Sequence, residues 1–109
     1  MIIKRIDLKS TSNDAAHTEI LFEVAAARAD GCELVRFDIK PNEDSNYPIE
    51  RLYDGVLRVV KSLKQKNLIQ FYATGESFVN ATTEASFLIN KYPDLIETTG
   101  EYFVYFKLK

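Results

Sequence analysis

Three acidic side chains lie where apolar runs give way to polar turns: Asp7, Asp38 and Glu76. If those runs are strands of one parallel sheet, the three carboxylates share its carboxyl edge, where ligands of open α/β sheets settle. Oxygen ligands of this kind suit a divalent metal, and the implied chemistry is phosphodiester hydrolysis by metal-activated water. The competing explanation is charge pairing. Arg5 and Asp7 share one strand face, as do Arg36 and Asp38, so neighbouring strands would pair them on an open sheet surface.

Other chemistries lack their residues. His17 is the sole histidine and Cys32 the sole cysteine. They lie towards opposite ends of the first helical stretch, too far apart for a nucleophile and its base. Ser10 and Ser12 lack the Gly-x-Ser-x-Gly elbow of a serine nucleophile. The turn Thr74-Gly75-Glu76-Ser77 is too short for a phosphate loop and carries an acid where phosphate would sit. No catalytic residue and no cofactor is implied, and the expected role is a noncatalytic binding or assembly module.

The elements that must position these residues alternate along the chain. Strands are expected over residues 2–8, 32–40, 68–73 and 102–108, and helices over 15–29, 48–66 and 83–92. This βαβαβαβ order predicts a single α/β domain over residues 1–109 with a four-stranded, mostly parallel or mixed sheet. The first helix places Ala16, Ile20, Val24 and Ala27 on one stripe with Leu21 and Phe22 beside it, and Gly31 ends it. In the second helix Leu52, Val56, Val60 and Leu63 recur at helical spacing, and Gly55 reads as a close-packing point. Lys61, Lys64 and Lys66 read as a solvated face. In the second strand Val35, Phe37 and Ile39 alternate with Arg36, Asp38 and Lys40, which predicts one buried and one polar face. A strand covered on both faces would be continuously apolar. A two-layer sandwich follows, with helices mainly on one face. Polar loops are expected at residues 10–14, 41–47 and 74–77.

With 109 residues and a net charge of −2, the chain suits one modest core and lacks the basic excess of a nonspecific nucleic-acid binder. A single cysteine excludes an internal disulfide and reads as a buried structural thiol. No window approaches the ~20 apolar residues of a membrane span, nor does the N-terminus carry a secretory signal, so no membrane partner and a cytoplasmic location are expected.

The open face is the expected working surface. It would carry Arg5, Arg36, Gln70 and Tyr72, and the last strand would add either Phe103, Tyr105 and Lys107 or Tyr102, Val104 and Phe106, with aromatic rings in both cases; Tyr105 and Lys107 are counted in the binding surface. A contiguous aromatic patch rarely stays bare on a monomer. Packing two such faces about a twofold axis gives a homo-oligomer, the favoured outcome because Asp7 and Asp38 repel phosphates. Single-stranded nucleic acid stacked on the rings is the runner-up.

From residue 4 to 72, the run Ile6-Asp7-Leu8, a helix, Leu34-Val35-Arg36-Phe37, then a second helix and strand resembles the Smr (small MutS-related) domain. The family's Asp-Leu-His-Gly motif begins here as Asp7-Leu8 and continues Lys9-Ser10. Its His-Gly-x-Gly stands here as Ile39-Lys40-Pro41-Asn42. The resemblance implies a compact βαβα sandwich and, as in many members, binding or nicking of nucleic acid.

Overall fold

Ser12 starts the first helix: its hydroxyl accepts the Ala15 N–H at 3.2 Å, satisfying one of the donors that a helix N-terminus leaves unpaired. In the computed structural model the described residues, 1–9, 12–40 and 46–109, form four strands and four helices. They are β1 (Ile3–Leu8), α1 (Asn13–Ala29), β2 (Leu34–Ile39), α2 (Ile49–Gln65), β3 (Ile69–Thr74), α3 (Gly75–Val79), α4 (Thr83–Lys91) and β4 (Phe103–Leu108). Ser10, Thr11 and residues 41–45 of the two expected polar loops lie outside the described residues.

α3 replaces part of the loop expected at 74–77. Thr74 and Ser77 cap each other reciprocally: the Thr74 hydroxyl accepts the Ser77 N–H, and the Ser77 hydroxyl accepts the Thr74 N–H at 3.0 Å. A Thr-x-x-Ser pair thus does what Ser/Thr-x-x-Glu does in the common capping box. Gly31, at a φ of +75°, turns the chain out of α1 as expected.

The sheet runs β1-β2-β4-β3. β1 and β2 are parallel, with Arg5 opposite Arg36 and Asp7 opposite Asp38. β4 lies antiparallel between β2 and β3, which makes the sheet mixed. The insertion of β4 turns β2 into an interior strand, and all six of its residues are buried.

Two apolar clusters flank the sheet. On one face α1 and α2 bring Ile20, Val24, Val56 and Val60 against Val35, Phe37, Val104 and Phe106. Gly55 is the close-packing point: a Cβ there would fall 2.2 Å from the Asn13 Oδ1 atom. The other face carries a second cluster of Leu34, Ala73, Leu88, Tyr92, Phe103 and Tyr105, with Phe78 and Ile96 packed against it. Helices were expected mainly on one face; the two long helices lie there, while α3, α4 and the strap of residues 93–102 cover the surface expected to be open. Leu21 and Phe22, expected beside the core stripe of α1, are exposed instead.

Leu88 pins α4 to that second face and is fully buried. Truncating a buried leucine costs about 2–5 kcal/mol, so Leu88→Ala should lower the urea midpoint accordingly. A loss below about 0.5 kcal/mol, the range of an exposed substitution, would contradict the second layer.

Candidate functional site

Arg36 stands at the centre of β2 with 1% of its surface exposed. Removing a guanidinium from water costs several kcal/mol unless every donor finds a partner. Here all five do. Nε donates to Asp38 at 3.1 Å and one terminal nitrogen reaches Asp38 Oδ1 at 2.8 Å. That nitrogen also donates to the Thr99 carbonyl at 3.0 Å. The other terminal nitrogen donates to the Glu97 carbonyl at 2.6 Å and to the Tyr105 hydroxyl at 2.9 Å. The guanidinium also lies over the Phe103 ring, 4.3 Å from its centroid.

Tyr105 completes the clamp. Its hydroxyl donates to the Glu97 carbonyl and accepts the Glu97 N–H, both at 2.8 Å. β2 and β4 thus hold the backbone of the strap through side chains that meet no solvent. At the strap's near end Tyr92 donates to Glu33 at 2.8 Å; burial, and then the Glu33 carboxylate, push the Tyr92 hydroxyl up to about 12.

Asp38 receives Arg36 and, on its outer side, Arg5 Nε at 2.9 Å. Arg5 also donates to the Glu97 carboxylate, which joins β1 to the strap. Burial opposes the charge on Asp38, but hydrogen bonds from Arg36 and Arg5 outweigh it and hold the carboxyl below its ordinary range.

Of the residues expected on one open surface, Arg5, Arg36 and Tyr105 are brought together, but in a covered clamp, and Tyr72 lies on the other face. Arg36 and Tyr105 are interior clamp residues and Arg5 is the clamp's exposed rim. Lys107 is half-buried and donates to the Leu108 carbonyl at 2.8 Å. Burial, and then Lys91, lower its pKa. Tyr72 faces α2, because the irregularity between Ile69 and Phe71 reverses the alternation of β3. A one-residue slip sends each following side chain to the opposite face.

The metal reading fares no better. Asp7 adjoins Asp38 across the β1–β2 register, but Asp38 is held by two arginines. Glu76, in α3 beyond β3, is three inter-strand spacings from β1, about 14 Å across the sheet. Among the described residues no group of three His, Cys, Asp or Glu side chains is placed to hold a metal ion.

Sequence reasoning missed the surroundings of Tyr72. Lys64 Nζ lies 6.0 Å from its ring centroid, and Lys61 and Tyr72 together line two adjoining clefts of about 250 and 390 Å³. The signal was the i, i+3 pair Lys61 and Lys64 on α2, one loop before a strand bearing an aromatic residue.

No family model, curated protein or solved structure matches the chain. Among the described residues no helix is long and apolar enough to cross a membrane.

The clamp gives a signed pH dependence. A carboxylate whose folded pKa lies below its ordinary 3.8 contributes stability above that value, and the contribution fades as pH falls through the lower folded value. Asp38→Asn leaves a buried guanidinium uncompensated and should cost about 3–5 kcal/mol at neutral pH. The gap between wild type and variant in urea unfolding should narrow from pH 7 to about pH 3. A gap that stays constant over that range would show that Asp38 is not held ionised by the arginines.

Proposed function

We propose that this chain is a cytoplasmic, noncatalytic assembly module that works by associating with its own copies. The supporting observation is the saturation of Arg36: the strongest cation–carboxylate cluster of the fold has all five donors engaged in holding the strap. A group so committed has nothing left to offer a substrate. Large apolar side chains meanwhile remain on the surface, Phe22 with 69% of its area exposed.

The interface is not the sheet face, which is covered. Tyr105→Glu would therefore break the clamp and unfold the protein rather than separate subunits. Sedimentation equilibrium of the wild type should show a reversible monomer–dimer transition at micromolar concentration, the low end of specific association. A strict monomer at several hundred micromolar would sink the assembly reading.

A second reading follows from Tyr72, Lys61 and Lys64. An aromatic ring between two lysines beside open clefts suits the stacking of one base with neutralisation of the adjacent phosphates. This is the nucleic-acid binding that the Smr resemblance implies, displaced from the sheet face to the edge of β3. If it holds, labelled single-stranded RNA binds at low salt with an affinity that falls as salt rises, and Lys61→Glu with Lys64→Glu abolishes it. Binding unaffected by those substitutions would place any nucleic-acid site elsewhere.

A further inference from the structure

α1 carries one apolar stripe more than its fold requires. A surface helix buries one stripe, and α1 does so with Ala16, Ile20, Val24 and Ala27. A second series, Ala15, Thr18, Phe22, Ala25 and Ala29, recurs at alternating spacings of three and four on the opposite side, and every member is exposed. Alternation of three and four is the 3.5-residue repeat with which one helix packs along another. Leu21 stands beside this stripe with 41% of its area exposed. α2, in the same layer, instead turns Arg51, Asp54, Arg58 and Lys61 outward. Within that layer the apolar outer face belongs to α1 and not to α2.

The composition of the stripe suits a close helix–helix approach. Four of its five positions are alanine or threonine, small enough for axes about 8 Å apart, the short end of helix packing. Phe22 and Leu21 at the middle supply the bulk that would fill the groove to either side.

Charge selects the occupant and its direction. Asp14 is exposed in the first turn of α1 and Arg28 is exposed in the last. Neither forms an ion pair among the described residues. They stand seven residues before and after Leu21 and so share one side of the helix. A parallel copy would set acid against acid and base against base. An antiparallel copy related by a twofold axis sets each Asp14 near the other's Arg28 and opposes the two helix dipoles.

Building on the assembly reading above, we infer that a second copy of this chain docks antiparallel on the outer face of α1, about a twofold axis near Leu21 and Phe22. The stripe is about 21 Å long. Two such faces bury an area at the small end of specific interfaces, so the dimer is weak and reversible. Outside α1, the exposed large apolar side chains among the described residues are Met1, Ile2, Val79, Phe87, Ile89 and Leu95. Phe87 on α4 packs edge-on against Phe71 at 5.6 Å and lies under Lys91, while Val79 stands alone at the end of α3.

Sedimentation equilibrium on the full chain tests this, with far-ultraviolet circular dichroism and thermal melts confirming that each variant folds. Phe22→Glu and Ala25→Glu, at exposed positions, should each weaken dimerisation at least tenfold. Asp14→Arg alone and Arg28→Asp alone should each weaken it severalfold, and the double charge swap should restore it. A dimer of unchanged affinity in Phe22→Glu and Ala25→Glu overturns this surface while leaving self-association standing. A wild type that is monomeric throughout overturns both. Single reversals that weaken the dimer without rescue by the double swap overturn the antiparallel arrangement.

Discussion

A guanidinium in the middle of a four-stranded sheet can be tolerated only if five donors are met, and meeting them at Arg36 organises half of this molecule. Asp38, two residues along the same strand, supplies the charge. Tyr105 on the neighbouring strand supplies one acceptor, and two backbone carbonyls of the strap supply the rest. The strap must therefore cross the sheet above β2 before the chain can enter β4. That path carries α4 onto the same face and seats Leu88 and Tyr92 over Leu34 and Phe103. The aromatic rings beside Arg36 both shield the cation and bind it through their faces. Replacing any one partner leaves a desolvated group, so the cluster favours a single arrangement of strand, strap and helix.

This arrangement determines which side chains the fold leaves to solvent. The carboxyl edge of the parallel strands, the usual location of a site in an open α/β sheet, here has its central carboxylate neutralised by two arginines. Asp38, Arg36 and Arg5 at that edge are engaged with one another. What the fold leaves to solvent is the outside of its helical layers and the two sheet edges. On those surfaces the chain differs from one helix to the next: α2 presents charge, whereas α1 presents alanines, Leu21 and Phe22.

Much of the fold was legible along the chain because local rules act within single elements. The helical spacing of Leu52, Val56, Val60 and Leu63 and the stop at Gly31 each need only their own neighbours. The error lay in β2. Its alternation of Val35, Phe37 and Ile39 with Arg36 and Asp38 is real, yet a polar face need not be a solvent face. Two opposite charges one alternation apart can satisfy each other, and nothing local tells an exposed pair from a buried one. The difference is made by β4, whose place between β2 and β3 is a long-range choice that no periodicity records. Tyr72 failed for a related reason. A single irregular residue in β3 reverses which side chains face α2, and it leaves no mark in composition.

The sheet edges explain why association should fall to a helix. An edge strand offers unpaired backbone groups and invites another strand unless something blunts it. On β1 the alternation of Lys4, Arg5 and Asp7 places charge on both faces of the strand, so a docking strand would have to desolvate it. β3 is bent by its irregularity and flanked by Lys61 and Lys64, which breaks the straight register that continued pairing needs. Both edges therefore resist extension by hydrogen bonding. None of the five positions of the outer stripe of α1 is charged, and Asp14 and Arg28 beside its two ends would meet their opposites in an antiparallel partner. Exposed apolar area is tolerated on a small protein mainly where it is used, and α1 presents such area, centred on Leu21 and Phe22, on the side that the sheet does not need.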